Sequence, residues 1–267
     1  MKKDFRFVIV TIFAVVFFAG RSAWAQQEQP SVPSSEPMST ERGGFSNGTE
    51  TVTPGHLQLE AGYLYHKANG THDQSPDDGT QLRFGLRSRF EVRFGLPSYR
   101  YTRDQGHEDT GWDDTTLGLK WRFREDAKSF PAIAVIGSLA LPTGKHDTGE
   151  RYLQPEIALE ASKELDGAYS LDGAFVYTDA HQGHEQFNQF AGGFVLSRHL
   201  TSVLDVFAQV YRVMPQDGKG GANANYVGGG FIYQLNRSTI FDIGLDNGIS
   251  RPFRAETAFT TGISHRW

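Results

Sequence analysis

The residues of this chain that could do chemistry are charged side chains at alternate positions of apolar segments. Basic residues crowd three neighbouring segments, and acidic residues occupy later ones: Arg83, Arg87, Arg93, Lys120 and Arg122, then Glu156, Glu160, Asp172, Asp205 and Asp242. In a water-filled pore, opposed walls of this kind create a transverse field that orients charged solutes. The same groups could instead neutralise one another as a network that fills the lumen. The sequence leaves both interpretations open.

Metal binding is a second chemistry that the sequence could support. His181 and His184 lie in one polar loop with Asp179, and together they could ligate a borderline metal such as zinc or copper. Loop histidines are usually solvated, and no residue that would orient these rings can be identified. We therefore predict no metal site and no cofactor.

The residue types give little support for catalysis. An outer-membrane lipid hydrolase needs a serine and a histidine that face lipid, and a third polar group that orients them. In the alternating segments described below, the positions that would face lipid are almost wholly apolar. No Gly-x-Ser-x-Gly motif occurs. The chain has no cysteine for thiolate chemistry, and its net charge of −5 gives no basic surface for nucleic acid. We predict no catalytic residues, no enzyme activity and no nucleic-acid partner.

Strands are the elements that must position the charged groups. In the last nine residues, Phe259, Thr261, Ile263, His265 and Trp267 share one parity, and small or charged residues share the other. Since side chains alternate between the faces of a strand, one face is apolar and the other polar. About eleven earlier segments repeat this pattern, which gives about twelve strands, an even number as in bacterial outer-membrane barrels.

The connections between these segments alternate in length. Tight turns such as residues 88–89 and 236–238 alternate with long polar loops such as 67–80 and 99–113. This asymmetry is typical of the periplasmic turns and extracellular loops of outer-membrane barrels. Aromatic residues near both sets predict two interfacial girdles. They are Phe90, Trp121, Phe123, Tyr169, Tyr233 and Trp267 near the turns, and Tyr65, Tyr99, Tyr101, Tyr177 and Tyr211 near the loops.

The N-terminal region lacks the alternating pattern of the strand segments. Residues 1–25 have a basic start, an apolar core and a small-x-small cleavage site, which predict a signal peptide. Residues 26–42 are rich in Gln, Ser, Pro and Glu, and we predict a flexible periplasmic tail. The barrel is predicted to comprise residues 43–267. Whether residues 43–55 tuck inside it as a partial plug stays open.

Four short motifs resemble a known family. They are Gly43-Gly44-Phe45-Ser46 with the stretch from Thr49 to Tyr63, the stretch from Arg93 to Tyr99, the stretch from Leu139 to Gly144, and Gln154-Pro155-Glu156. The chain looks like the family named for a putative MetA-pathway of phenol degradation, over roughly residues 43–267. The resemblance implies an outer-membrane barrel of Gram-negative bacteria. It only suggests phenolic substrates, since the label rests on association with a pathway.

These observations predict an all-β protein, a transmembrane antiparallel up-and-down β-barrel of about 12 strands in the bacterial outer membrane. The predicted function is passive passage of small molecules, possible aromatic or hydrophobic compounds among them, by a monomer. The alternative is a non-conducting structural or adhesive barrel. The expected partners are the lipid bilayer and lipopolysaccharide, a small-molecule solute, and the barrel-assembly machinery through the strand that ends in Trp267.

Overall fold

The computed structural model describes residues 38–68, 71–75, 80–104, 107–144, 152–166, 168–182, 185–216 and 218–267. The predicted signal peptide, residues 1–25, and residues 26–37 of the predicted tail lie outside the described residues. Among the residues that are described, no helix is both long and apolar enough to cross a membrane.

Strands make up most of the described chain. They are β1 (Leu57–Ala68), β2 (Thr71–Ser75), β3 (Gln81–Arg87), β4 (Phe90–Gly95), β5 (Tyr99–Asp104), β6 (His107–Trp112), β7 (Thr115–Arg124), β8 (Ala132–Leu141), β9 (Gln154–Glu164), β10 (Tyr169–Gln182), β11 (Glu185–His199), β12 (Leu204–Pro215), β13 (Ala224–Asn236), β14 (Thr239–Gly248) and β15 (Thr257–Arg266). A single turn of 3-10 helix, Phe253–Ala255, precedes β15.

Twelve of these strands form a closed antiparallel wall. Their order is β1-β3-β4-β7-β8-β9-β10-β11-β12-β13-β14-β15, and β15 pairs with β1 to close the ring. The closing ladder runs from Gln58 opposite Arg266 to Lys67 opposite Thr257. The amide of Trp267 donates to the carbonyl of Leu57 at 2.9 Å, so the chain is held in the sheet up to its last residue. The predicted barrel of about twelve strands is confirmed.

The alternation along each strand sets the two faces of the wall. On β14, Phe241, Ile243 and Leu245 are 43%, 43% and 47% exposed, whereas Asp242 between them is 3% exposed. A water-soluble protein would bury the three apolar residues and expose the aspartate. The opposite arrangement suits a barrel in lipid, because a charge on the lipid face costs roughly 2–4 kcal/mol at the midplane.

Three wall strands continue, after a break, into shorter strands near the long loops. β2 pairs with the upper half of β1, whereas β3 pairs with its lower half. β5 and β6 extend this outer ladder, so that β1, β2, β5 and β6 lie side by side. The twelve wall strands correspond to the twelve predicted segments. β2, β5 and β6 were not predicted, because their residues fall in the stretches 67–80 and 99–113 that the sequence analysis assigned to polar loops.

An N-terminal segment, residues 38–54, lies inside the ring, and we call it the plug. It begins beside the periplasmic half of β1, where Gln58 donates to the carbonyl of Ser39 at 2.8 Å. It ends where Gly55 donates to the carbonyl of Gly85, close to the turn after β3. The predicted boundary at residue 42 therefore needs correction: Glu41 and Arg42 are buried in the lumen, because their charges meet opposite charges on the inner wall.

Candidate functional site

The plug makes hydrogen bonds or ion pairs to eight of the twelve wall strands described. The partners surround it: Ser264 and Thr261 on β15, Gln58 and Glu60 on β1, Arg83 on β3, Glu91 and Arg93 on β4, Lys120 and Arg122 on β7, Glu160 and Ser162 on β9, Gln209 on β12, and Asp242 on β14. The plug therefore spans the cross-section of the lumen and is anchored on nearly every side.

The carboxylate of Glu41 is the centre of the strongest anchor. Arg83 Nη2 lies 2.9 Å and Lys120 Nζ 2.7 Å from Glu41 Oε1, and Arg93 Nη2 contacts Glu41 Oε2. Charge-assisted hydrogen bonds of this kind are about twice as strong as neutral ones. The three cations converge on one carboxylate, and we call them the basic socket.

The wall itself supplies only part of the negative charge that this socket needs. Within ion-pair distance, Arg83 meets Glu60 and Glu91 of the wall, and Arg93 meets Glu91 at 3.6 Å. The wall thus provides two carboxylates for three buried cations, and Glu41 provides the third. Since a buried charge without a partner costs several kcal/mol, the wall is built to receive an anion here.

Arg42 binds the opposite side of the lumen. Its Nε lies 3.0 Å from Asp242 Oδ2, with both side chains buried, and its Nη2 donates to the carbonyl of Thr261. The guanidinium lies over Gly62 and Gly262, which face each other across β1 and β15. A Cβ at either glycine would overlap it, so the two glycines form a slot for this arginine.

The plug then returns along β9. Ser46 Oγ donates to Glu160 Oε2 at 2.8 Å, and Asn47 Nδ2 donates to Glu160 Oε1 at 3.1 Å. The amide of Thr49 donates to Ser162 Oγ, which in turn donates to Asp172. Acidic groups of this wall are therefore met by polar groups of the plug.

Phe45 lies near the turning point of the plug and packs on an aromatic ladder. Its ring stacks on Tyr211 with centroids 4.7 Å apart, and Tyr211 stacks on Tyr226 at 4.9 Å. Tyr211 was predicted to join the loop-side girdle, and that prediction was wrong. It shares the inward parity of Gln209 on β12, and its hydroxyl donates to Asp246 inside the barrel.

A vestibule of about 730 Å³ lies on the loop side of the plug. Glu41, Arg42, Gly43, Gly44, Phe45 and Asn47 line it from the plug. From the wall it is lined by charged and aromatic groups that include Arg93, Arg100, Glu156, Tyr211 and Asp246. The vestibule is large enough for a small organic molecule, and the plug forms its floor.

The predicted pore-lining residues fall into four places. Arg83, Arg93, Lys120, Glu160 and Asp242 are buried against the plug. Glu156 faces the vestibule, where Thr178 donates to it, and Asp172 lies near Gly48 of the plug. Arg122 binds Glu50 where the plug leaves the lumen. Asp205 pairs with His199 near the periplasmic turn, and Arg87 follows a bulge at Gly85 and is exposed at the turn.

Of the two interpretations that the sequence left open, a transverse field or mutual neutralisation in a filled lumen, these contacts fit the second. The basic groups are neutralised locally by Glu60, Glu91 and Glu41 rather than across an empty pore. Sequence reasoning missed Glu41 and Arg42 because they fell in the predicted flexible tail. For residues 43–55 it left open a partial plug, and the structure places Phe45 of that stretch inside the lumen. One signal was available in the sequence. The inward positions of β3, β4 and β7 carry more basic than acidic residues, and this surplus of positive charge requires a carboxylate partner.

The loop that could hold a metal is only partly described. Asp179 accepts two hydrogen bonds from Gln186, and the ring of His181 stacks on Tyr152. His184 lies outside the described residues. Within the described part of the chain, no group of three or more His, Asp or Glu side chains could hold a metal ion.

Comparisons with known proteins agree with this architecture. A family model described as "Putative MetA-pathway of phenol degradation" matches residues 40–266. A comparison with curated proteins found no match. Among solved structures, an outer membrane channel from Pseudomonas putida F1 is 13% identical, with a TM-score of 0.61, and the match covers 82% of this chain and 98% of that one.

Two further solved structures have the same fold. The NanC porin is 9% identical with a TM-score of 0.54, over 78% of this chain and 98% of that chain. The translocator domain of the autotransporter NalP from Neisseria meningitidis is 12% identical with a TM-score of 0.51, over 79% and 88%. At these identities the likeness establishes the fold alone. It is that of β-barrels of the bacterial outer membrane, which is where this chain resides.

Proposed function

The chain belongs to the family described as the putative MetA-pathway of phenol degradation, and from this membership and its barrel fold we propose that it is an outer-membrane channel for small solutes. Passage is passive and takes place through the lumen. The plug closes the lumen in the state described above, and the channel conducts when the plug leaves it. The protein is thus a gated channel rather than a permanently open pore.

The observation that carries this proposal is that the lumen is filled by a segment outside the sheet. The ladders that close the ring pair wall strands with one another, and the plug touches them in the described chain by a single bridge from Pro54 to Gly85, so the ladders stay intact when the rest of the plug leaves. Twelve strands spaced about 4.8 Å apart and tilted about 40° give a backbone diameter of roughly 24 Å. Inward side chains occupy about half of that, which leaves an opening of about 12 Å for small molecules.

The outer surface of the barrel indicates which partners surround the channel. Its apolar face fits the lipid bilayer, with lipopolysaccharide in the outer leaflet as the expected neighbour. β15 is followed directly by Trp267, whose aromatic ring is exposed, and we propose that the barrel-assembly machinery recognises this strand. Because the wall closes on itself through β1 and β15, a single chain suffices, and we propose a monomer.

A non-conducting structural barrel is the second candidate, and the density of buried ion pairs around the plug favours it. Arg42, Glu41 and their partners are almost fully buried. If the plug never leaves, the lumen is a solid core and the barrel acts through its surface or loops. The two candidates differ in one measurable property, which is conductance.

Planar-bilayer recording of the purified wild-type protein separates these candidates. We expect brief openings between long closures, since the closed state is held by buried ion pairs. In liposome-swelling assays, small sugars and organic acids should enter faster than in protein-free vesicles, and oligosaccharides should not. The proposal is contradicted if neither the wild type nor a variant with a weakened plug conducts.

A further inference from the structure

The basic socket holds a carboxylate through both of its oxygen atoms. Glu41 Oε1 lies 2.9 Å from Arg83 Nη2 and 2.7 Å from Lys120 Nζ, and Glu41 Oε2 accepts a hydrogen bond from Arg93 Nη2. The three cations belong to β3, β4 and β7, which are neighbours in the wall. These contacts define a place for a planar group with two charged oxygen atoms.

The wall brings two of these cations directly together. Arg83 and Arg93 lie opposite each other in the ladder between β3 and β4, and both side chains are buried in the lumen. Like charges at opposed positions of a sheet repel each other. An anion that contacts both guanidinium groups relieves this repulsion, whatever molecule carries the anion.

Lys120 depends on the plug for its partners. Its side chain is fully buried, and in the described chain its ammonium group makes two hydrogen bonds, to Glu41 Oε1 at 2.7 Å and to the carbonyl of Asn47 at 3.1 Å. Both acceptors belong to the plug. When the plug leaves, a buried cation loses both partners, which is strongly unfavourable. An anion from solution that takes the place of Glu41 offsets this loss.

The wall fixes the two arginines and sets the charge of the missing ligand. Arg83 Nε lies 2.7 Å from Glu91 Oε1, and its Nη1 lies 2.7 Å from Glu60 Oε1. Arg93 Nη2 donates to Gln81 Oε1 at 3.0 Å. Within ion-pair distance, the wall gives the three cations of the socket two carboxylates, so one further negative charge completes the set. This charge and the two-oxygen geometry specify a monocarboxylate.

A small anion can reach the socket from the loop side. Glu41 and Arg93 both line the vestibule of about 730 Å³. Arg83 and Lys120 are fully buried and are not among the described residues that line it. An acid in the vestibule therefore meets the guanidinium of Arg93 first, and it gains the other two cations when Glu41 moves away.

We propose that the basic socket is a binding site for the carboxylate of small organic acids, and that such an acid opens the channel by taking the place of Glu41. The opening step rests on the proposed channel function, whereas the binding site does not. A ligand that binds only the protein with its plug released shifts the equilibrium towards that form as its concentration rises. Glu41 is thus a tethered competitor of the acid.

Isothermal titration calorimetry of Glu41→Ala protein with acetate tests the binding site. The substitution removes the tethered carboxylate, so the three cations lack their anion and acetate should bind. Acetamide has nearly the same shape without the charge, and it should not bind at the same concentrations. Absence of acetate binding to folded Glu41→Ala protein overturns the proposal.

A second substitution locates the bound acetate. Adding Lys120→Met to Glu41→Ala protein should raise the dissociation constant at least about tenfold, because a hydrogen bond from a charged group is lost. Adding Lys163→Met, which removes a cation that pairs with Asp126 instead, should leave it unchanged. If Lys120→Met prevents folding, Arg93→Gln takes its place with the same expected effect. Equal affinities with and without the socket cation put acetate elsewhere and overturn the proposal.

Planar-bilayer recordings of the wild-type protein test the opening step. Sodium acetate replaces sodium chloride on the loop side at constant ionic strength. The open probability should rise with the acetate concentration, by up to about tenfold for a tenfold increase while the channel is mostly closed. Acetamide should have no effect. An open probability that is independent of acetate overturns the opening step.

The outcomes separate this inference from the channel function. If Glu41→Gln protein conducts and the wild type does not respond to acetate, the opening step is wrong while the channel function stands. If Glu41→Gln protein is folded and does not conduct, the channel function itself fails, and calorimetry still decides the binding site. Folding of each variant is checked by the heat-dependent gel mobility typical of outer-membrane barrels, so a misassembled variant is not mistaken for either result.

Discussion

Replacing Glu41 by glutamine is expected to convert a mostly closed channel into a mostly open one. The change keeps the shape of the side chain and removes the charge that Arg83, Arg93 and Lys120 share. Breaking a buried ion pair from one side costs about 3–5 kcal/mol, which is roughly a hundredfold to a few thousandfold in the docking equilibrium of the plug. Open probability in planar bilayers measures this shift directly.

Glu50→Gln is the matched control for this prediction. Glu50 lies in the same plug segment and pairs with Arg122, but its side chain is 59% exposed. An exposed pair contributes about 0–1 kcal/mol, so gating should change little. Equal gating of both variants would contradict the role assigned to Glu41.

Replacing Gly262 by alanine is expected to open the channel by removing a second anchor of the plug, the Arg42–Asp242 ion pair. The nearest atoms to a Cβ at this position are all in the guanidinium of Arg42, whereas backbone atoms are not among them. The methyl group therefore expels Arg42 from its slot and separates it from Asp242 with little strain on the wall. The loss of this buried pair should raise open probability by at least about a hundredfold.

Gly192→Ala provides the control for the added methyl group. A Cβ there would make ordinary contacts, at 3.5 Å to the carbonyl of Ala174 and 3.6 Å to the Phe175 ring. Its gating should match that of the wild type. Closed behaviour of Gly262→Ala, in protein with the gel mobility of a folded barrel, would show that the Arg42 pair does not hold the plug.

The wall could be predicted from the sequence because lipid imposes a simple rule on it. A membrane strand must keep its outward residues apolar, so the period of two survives along the whole segment. On β14 that rule placed Phe241 outside and Asp242 inside, as the structure does. The closing strand to Trp267 was predictable for the same reason. The short strands β2, β5 and β6 were not, since their residues are polar and were assigned to the loops 67–80 and 99–113.

The plug could not be recognised by its composition. A segment inside a polar lumen meets charges and hydroxyl groups, so it needs the polar residues that a solvated tail also has. Glu41 and Arg42 therefore looked like part of a flexible stretch. Tyr211 was misplaced for a different reason: it was assigned by its distance from a loop, although its parity with Gln209 already put it on the inner face.

A reversible disulfide between the plug and the wall tests the central claim most directly. The chain has no cysteine, and Thr40 Oγ1 lies 2.7 Å from Ser264 Oγ on β15. Cysteines at these two positions should therefore be close enough to bond. They are introduced into Glu41→Gln protein, whose plug is otherwise released.

The measurement is the open probability of that triple variant under oxidising and then reducing conditions, with the crosslink verified by mass spectrometry. If the plug is the gate, the oxidised channel stays closed in spite of Glu41→Gln, and reduction opens it. If the crosslinked channel conducts as well as the reduced one, the plug does not control passage through this barrel.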